Sequence, residues 1–134
     1  MSGASPTQKT LALLRERGWD CAIVEKFVGP LCIRQDAFGW MDILCIDPVR
    51  GAVGVQSCGQ SFSEHVHKLI EERGEIIKKW VVHHPAELIG WRKKKAVLAD
   101  GSKGKADRWY PRIADVVLTP EGELQIVERK ETKQ

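Results

Sequence analysis

Two polar side chains with oxygen atoms lie at the ends of neighbouring apolar runs. Asp42 directly precedes the apolar residues 43–46, and Gln56 directly follows residues 52–55. If the two runs are adjacent strands joined by a turn, the carboxylate and the amide oxygen lie side by side at one end of a sheet, where water can enter. Hard divalent cations prefer such oxygen ligands. The spacing therefore predicts a site for a divalent cation that includes Asp42 and Gln56.

Both residues also have a structural interpretation. Asp42 could hydrogen-bond to the turn at Gly39, but a carboxylate at the start of a buried strand is costly unless it has a partner, which favours the metal role. Gln56 could equally be a buried amide that a neighbouring strand satisfies. The two roles of Gln56 stay open at this point.

Two more acidic residues are candidates for the same site. Glu25 shares one side of a predicted strand with Ile23 and Phe27, so a single charge stands in an otherwise apolar row. It could face the metal site, or it could pair with a cation across the sheet. Asp36 precedes the turn at Gly39 and could either cap that turn or bind the metal.

Capping residues indicate where the first helix begins and ends. Ser5, Pro6 and Gln8 are typical of a helix N-terminus, and Gly18 is typical of a helix end. A helix is therefore predicted over residues 6–17. This helix precedes every candidate site residue.

A second helix and six strands are predicted after it. Ser61 and Glu64 form a second capping box, and apolar residues recur at helical spacing up to Val81. The third strand is short and almost entirely apolar, as expected for a central strand that is covered on both faces. Strands are predicted over residues 21–28, 40–46, 52–56, 87–94, 109–118 and 124–128, with a polar link over 33–38.

The composition favours one domain over residues 1–134, with flexible tails over 1–5 and 129–134. The chain is 43% hydrophobic and 29% charged, as is usual for a single folded unit of this length. Its four cysteines form no Cys-x-x-Cys pair, which is typical of reduced thiols. We see no export signal and no apolar run of membrane-spanning length. We therefore expect a cytoplasmic protein with no membrane partner.

Positive charge is concentrated between residues 90 and 112. This stretch holds eight cations and two anions, although the net charge of the whole chain is only +3. Clustered cations attract phosphates, and nearby aromatic rings can stack on unpaired bases. The alternative is an ordinary soluble hairpin whose lysines discourage edge pairing. The predicted nucleic-acid contacts are Trp91, Arg92, Lys93, Lys94, Lys95, Lys103, Lys105 and Arg108.

Several short motifs in this order resemble a known superfamily. The motifs are Val24-Glu25-Lys26, Arg34-x-Asp36-x-Phe38-Gly39-x-x-Asp42, Gly54-Val55-Gln56 and Gly90-Trp91-Arg92-Lys93. Together with the predicted element order they resemble the PD-(D/E)xK nucleases, and within them the small phage-associated proteins similar to Holliday-junction resolvases. The resemblance covers residues 8–118. It implies an α/β protein with a restriction-endonuclease-like αβββαβ core, a central mixed sheet flanked by helices, and an added basic β-hairpin.

The resemblance also implies an activity. It suggests a nuclease that hydrolyses phosphodiester bonds of DNA, with branched DNA as the first substrate to test, and that acts as a homodimer with Mg²⁺ or Mn²⁺. The ligands that it implies are Asp42, Gln56 in place of the usual Glu, and the backbone carbonyl of Ser57. The bound cation would activate water and neutralise charge on the phosphate.

One position departs from the superfamily pattern. The lysine that usually follows the third-strand carboxylate is Cys58 in this chain. Helix geometry offers Lys68 as a replacement, with His65 as the second choice, although Lys68 could instead pair with Glu72. Loss of the lysine also suggests an alternative function, a catalytically inactive nucleic-acid-binding module of the same fold. A weaker alternative is a domain whose cationic face binds an acidic protein.

Overall fold

The computed structural model describes residues 5–31 and 33–129. Most of the two predicted tails, residues 1–4 and 130–134, lies outside the described residues, and so does Cys32. The helices are α1 (Pro6–Glu16), α2 (Phe62–Glu71) and α3 (Gly74–Val81), with a 3₁₀ helix at Gly29–Leu31. The strands are β1 (Asp20–Ile23), β2 (Lys26–Val28), β3 (Ile33–Gln35), β4 (Ile43–Asp47), β5 (Gly51–Cys58), β6 (Ala86–Val97), β7 (Lys103–Leu118) and β8 (Leu124–Glu128).

A six-stranded mixed sheet forms the centre of this α/β protein. Its strand order is β1-β4-β5-β6-β7-β8, and β2 and β3 form a separate two-stranded sheet. β5 and β6 pair in parallel, whereas the other neighbouring strands pair antiparallel. A parallel pair needs a long crossover, which α2 and α3 supply between β5 and β6.

Helices cover both faces of this sheet. Leu11 and Leu14 of α1 pack with Val55 on one face, while Leu69 and Ile77 of α2 and α3 belong to the core on the other. β5 contributes to both cores, because successive side chains of a strand point to opposite faces. The predicted central strand is therefore confirmed. None of the described helices has the length and apolar character needed to cross a membrane.

The N-terminal helix forms as its capping residues predict. The Ser5 hydroxyl accepts a hydrogen bond from the backbone N–H of Gln8 at 3.2 Å, and Pro6 is the first helical residue. After the helix, Gly18 has a φ of +85°, a conformation that glycine adopts without steric cost. The predicted boundaries of this helix are confirmed to within one residue.

The second predicted helix differs in two details. The Ser61 side chain does not cap the backbone of α2, and its hydroxyl instead lies 3.2 Å from Nδ1 of His65. The helix also stops at Glu71, and α3 begins at Gly74. Glycine is a poor residue for a helix interior, so the chain bends there although the apolar spacing continues.

The first predicted strand and the polar link were wrong. The predicted strand over 21–28 is divided into β1 and β2, because β2 leaves the main sheet to pair with β3. The link over 33–38 contains β3. Val24 marks the division, since its N–H donates to the carbonyl of Asp42 at 2.8 Å and ends the pairing of this segment with the main sheet.

A fully buried carboxylate links α1, the sheet and the end of the described chain. Glu87 is 0% exposed and contacts Arg17 at 3.1 Å, Arg50 at 2.9 Å and Arg129 at 3.3 Å. Arg129 also pairs with Asp115 at 2.7 Å. Burial of a charge requires such partners. Arg129 is therefore held in place and does not belong to the predicted flexible tail.

Candidate metal centre and basic ribbon

Asp42 lies at an irregularity just before β4. Its backbone N–H donates to the carbonyl of Val55 at 2.9 Å, although the register partner of Val55 is Ile43. Asp42 and Ile43 thus both lie opposite Val55, which is the arrangement of a β-bulge. Such a bulge changes the direction of the Asp42 side chain. The Asp42 carboxylate accepts hydrogen bonds from the Ser57 N–H at 2.8 Å and the Ser57 hydroxyl at 3.3 Å. It is thereby fixed at the C-terminal end of β5.

Two more carboxylates meet Asp42 at this point. The ligand oxygens of Glu25, Asp36 and Asp42 all lie within 4.8 Å of one another. Glu25 precedes β2 and Asp36 follows β3, so the small two-stranded sheet carries both of them to the edge of the main sheet. We call these three residues the acidic cluster.

The acidic cluster is under electrostatic strain. The pKa of Asp42 is raised to about 8, first by burial and then by a hydrogen bond with Asp36 and the negative charges of Asp36 and Glu25, against the opposing effect of the Ser57 N–H. Burial and nearby negative charges both disfavour the charged form of the Asp42 carboxyl group. At neutral pH without a cation, Asp42 therefore holds a proton. A divalent cation could take the place of that proton.

Gln56 supplies an independent sign of a missing partner. The residue is 2% exposed, and its Nε2 donates to Oδ2 of Asp36 at 3.4 Å. Its Oε1 is buried and accepts no hydrogen bond from any residue within 5–31 or 33–129. An unsatisfied buried oxygen costs about 1–3 kcal/mol. Three carboxylates and one amide oxygen form a donor set that fits a hard divalent cation.

The structure brings Asp42 and Gln56 together through Asp36. Both side chains interact with the Asp36 carboxyl group. The sequence left the role of this residue open, because Asp36 was equally compatible with capping a turn. Ser57 contributes its N–H and hydroxyl to Asp42, and Thr7 of α1 lies 3.0 Å from that hydroxyl. A ligand role for the Ser57 carbonyl stays a prediction.

The two predicted replacements for the lysine lie apart from these interactions. Nδ1 of His65 is 3.0 Å from the carbonyl of Ser61 and closes the first turn of α2. Lys68 lies half-buried near the end of α2. Within the described part of the chain, neither side chain has a hydrogen bond or ion pair with the acidic cluster. Their catalytic role stays a prediction.

Cys58 behaves as a packing residue. It is 3% exposed and belongs to the core that includes Phe62. Burial and the charge of Asp42 raise the pKa of its thiol to about 11, although Arg112 opposes this shift. The thiol is therefore neutral at physiological pH, and the position carries no charge.

β6 and β7 continue beyond the rest of the sheet. The last pair between β5 and β6 is Cys58 with Gly90, and β8 pairs with β7 from Ala114 onward. Residues 91–97 and 103–113 therefore form a two-stranded extension, which we call the basic ribbon. It begins at the end of β5 that carries the acidic cluster.

The aromatic residues of the basic ribbon have different surroundings. Trp91 is 8% exposed, and its Nε1 donates to Oγ1 of Thr10 at 2.8 Å. The ring is part of the core under α1, so Trp91 is not available as the predicted base-stacking residue. Trp109 is 38% exposed, and Nζ of Lys9 lies 4.4 Å from its ring centroid. Trp109 is therefore the tryptophan that a nucleic acid can reach.

The geometry combines the acidic cluster and the Gln56 oxygen with a positively charged extension beside them. Such a site can hold a divalent cation, and the extension can attract a polyanion. Residues distant in sequence build the acidic cluster, which explains why short motifs describe it only in part. Comparisons of the chain with protein-family models, with curated proteins and with solved structures found no match.

Proposed function

We propose that this protein is a metal-dependent nuclease that hydrolyses phosphodiester bonds of DNA. The observation that carries the proposal is the acidic cluster, with oxygens within 4.8 Å of one another, beside the unpartnered buried oxygen of Gln56. The cluster and Gln56 would hold Mg²⁺ or Mn²⁺. Branched DNA acted on by a homodimer is the version of this proposal that the sequence resemblance favours.

The residues of the chain would have distinct tasks in this reaction. The bound cation would supply a Lewis acid that activates water and neutralises charge on the phosphate. The Ser57 N–H orients the carboxylate of Asp42, and the Gln56 amide orients that of Asp36. The basic ribbon would hold the DNA backbone next to the acidic cluster.

The topology supports a restriction-endonuclease-like fold as part of the proposal. Without the small β2–β3 sheet, the order is α1, β1, β4, β5, the α2–α3 crossover and β6. The four strands are neighbours in that same order in the sheet. This agrees with the αβββαβ core that the resemblance implies.

A second candidate function is a catalytically inactive nucleic-acid-binding module. The neutral, buried thiol of Cys58 favours it, because the superfamily has a lysine at this position. A positive charge that stabilises a developing anion contributes strongly to catalysis. Binding without cleavage is the behaviour that separates this candidate from the nuclease.

Single-turnover cleavage of a labelled four-way DNA junction tests the proposal. We expect cleavage by the wild type with Mn²⁺, no cleavage with EDTA, and a loss of about 100-fold or more in Asp42→Asn. Asp20→Asn is the matched control, because Asp20 is an exposed aspartate of β1. A wild type that binds the junction but leaves it intact with Mn²⁺ and with Mg²⁺ would favour the inactive module.

A further inference from the structure

Two cysteines lie opposite each other in the pairing of β1 with β4. Cys21 and Cys45 are direct register partners, and both are free thiols. Cys45 belongs to the core under α1, and Cys21 packs against that core. The two side chains therefore lie on the same face of the sheet.

The backbone hydrogen bonds define the type of pair that these cysteines form. Directly opposite residues of an antiparallel ladder alternate between pairs that exchange backbone hydrogen bonds and pairs that do not. Val24 and Asp42 continue the register of β1 and β4, and the N–H of Val24 donates to the carbonyl of Asp42 at 2.8 Å. Since Cys21 precedes Val24 by three residues, the alternation makes Cys21 and Cys45 a non-hydrogen-bonded pair.

A pair of this type has the dimensions of a disulfide. Its Cα atoms are about 4.5 Å apart, and disulfides span Cα separations of about 4.4–6.8 Å. Its side chains also approach each other more closely than those of a hydrogen-bonded pair. In agreement with this geometry, the Cys45 thiol has a side-chain hydrogen bond with Cys21. A bond between the two sulfur atoms therefore needs little movement of the strands.

The two thiols differ in their access to solvent. Cys45 is 0% exposed, whereas Cys21 is half-buried on the edge strand of the sheet. A dissolved disulfide therefore reaches Cys21 first. Burial, and then the hydrogen bond with Cys21, raise the pKa of the Cys45 thiol above its usual value, so that Cys45 reacts second. The proximity of the two sulfur atoms offsets the small fraction of thiolate at Cys45.

We propose that Cys21 and Cys45 are a redox modification site, at which glutathione disulfide forms a reversible bond between β1 and β4. In the first step, the Cys21 sulfur attacks glutathione disulfide, and a mixed disulfide forms as one glutathione leaves. In the second step, the Cys45 sulfur attacks the Cys21 sulfur, and the second glutathione leaves. Each departing glutathione takes up the proton that the attacking thiol loses. Two protein thiols are thereby oxidised, and one glutathione disulfide is reduced to two glutathione molecules.

The position of β1 gives this bond a structural consequence. β1 is a four-residue strand at the edge of the sheet, next to β4. The chain continues from β1 through Val24, which is bonded to Asp42, to Glu25 of the acidic cluster. The disulfide would hold β1 on β4 and would thereby restrain the segment that carries Glu25. Its Cα separation is near the short end of the usual range, and strained disulfides are reduced more easily, so the bond is reversible.

Peptide mapping of the oxidised protein tests the proposal. Trypsin places each cysteine on its own peptide, namely 18–26 for Cys21, 27–34 for Cys32, 35–50 for Cys45 and 51–68 for Cys58. The folded protein is incubated with glutathione disulfide, its free thiols are blocked with iodoacetamide, and the digest is analysed by mass spectrometry without reductant. We expect peptides 18–26 and 35–50 to be linked, and dithiothreitol to separate them.

Oxidation in urea is the control for the role of the fold. Without the strand register, we expect several pairings among the four cysteines. The proposal would be overturned if the folded protein formed no link between 18–26 and 35–50, or if its pairings matched those formed in urea.

Three single variants test the order of the two steps. Cys45→Ala should stop at a mixed disulfide, with one glutathione on peptide 18–26. Cys21→Ala should acquire no glutathione on peptide 35–50, because Cys45 is buried. Cys58→Ala is the matched control, since Cys58 is buried in the core on the other face of the sheet, and it should form the same link as the wild type. Glutathione on Cys45 of a folded Cys21→Ala protein would overturn the proposed order. Circular dichroism establishes that each variant is folded.

Thermal melts and amide hydrogen exchange measure the restraint on β1. Oxidation of the wild type should raise the melting temperature by about 5 °C or more and should slow amide exchange over residues 20–24 by about tenfold. Cys21→Ala should show neither change with glutathione disulfide. A linked protein that melts and exchanges as the reduced protein does would overturn the restraint of β1. These readouts are independent of cation binding and of DNA cleavage, so they test this proposal separately from the proposed function.

Discussion

The Asp42 carboxylate accepts a hydrogen bond of 2.8 Å from the backbone N–H of Ser57. This bond joins the residue before β4 to the end of β5, and it holds a 4% exposed carboxylate next to two others. A backbone N–H stabilises the charged form, but burial and the neighbouring carboxylates outweigh it. The protein therefore holds three carboxyl groups at one point, where the charged form of Asp42 is disfavoured. Such strain is characteristic of sites that need a ligand.

Asp42→Asn should stabilise the protein in EDTA, and more so at high pH. The pKa of Asp42 rises from 3.8 to about 8 on folding, so between these values the folded protein holds a proton that the unfolded chain has lost. The free energy of unfolding of the wild type consequently falls as pH rises through this window, by on the order of a few kcal/mol. Asn does not ionise, so the free energy of unfolding of Asp42→Asn does not fall in this way as pH rises. Urea denaturation at about pH 5 and about pH 9 measures the effect, and a pH-independent difference between the variants would contradict it.

Mn²⁺ binding should release a proton and raise the melting temperature. The cation replaces the proton that Asp42 holds, so its affinity should increase with pH up to about 8. Isothermal titration calorimetry in two buffers with different ionisation enthalpies measures the released proton. Asp42→Asn should show neither proton release nor a thermal shift, whereas Asp20→Asn should match the wild type. Binding without any proton release would show that the cation binds elsewhere.

Gln56 substitutions should change cation affinity in opposite directions. Gln56→Leu removes the unsatisfied oxygen, so we expect stability in EDTA to stay the same or increase and Mn²⁺ affinity to fall. Gln56→Glu adds a fourth carboxylate, which should lower stability in EDTA and raise Mn²⁺ affinity by about tenfold. Melting temperatures of the two variants, measured with and without Mn²⁺, separate the effect on stability from the effect on Mn²⁺ affinity. If Gln56→Leu binds Mn²⁺ as the wild type does, the amide oxygen is not a ligand.

Lys68→Ala should slow single-turnover cleavage by at least about tenfold if α2 supplies the cation that Cys58 lacks. Binding of the DNA junction should be little changed, because a single charge contributes modestly to affinity. Lys68→Arg should retain part of the rate. A wild-type rate in Lys68→Ala would exclude this residue, and Arg112→Gln would then be the next variant to measure, since Arg112 and Cys58 are both register partners of Gly90.

Trp91 and Trp109 should respond differently to substitution. Trp91→Phe loses the hydrogen bond to Thr10 and should lower the free energy of unfolding by about 1–2 kcal/mol without changing DNA affinity. Trp109→Ala should leave stability nearly unchanged and weaken single-stranded DNA binding by about 1 kcal/mol or more. Denaturation and anisotropy together separate the two roles. A large loss of affinity in a folded Trp91→Phe protein would mean that this ring contacts DNA.

Several features of the fold could be predicted from local sequence. Some structural features depend only on residues that are close together in the chain, so they can be predicted without a structure. They are the capping of α1, the apolar run of β5 and the turn before β8. The concentration of cations between residues 90 and 112 is readable for the same reason. In the candidate site, Asp42 and Gln56 were identifiable because each interrupts or ends an apolar run.

The sequence by itself thus determined the main elements, the mixed α/β character and the position of the basic stretch. Only the tertiary structure decided that the β2–β3 pair carries Glu25 and Asp36 to Asp42 and that Trp91 is buried. The physical reason is that strand pairing and burial depend on contacts between residues far apart in the chain. A local pattern contains no information about which distant segment will complete it.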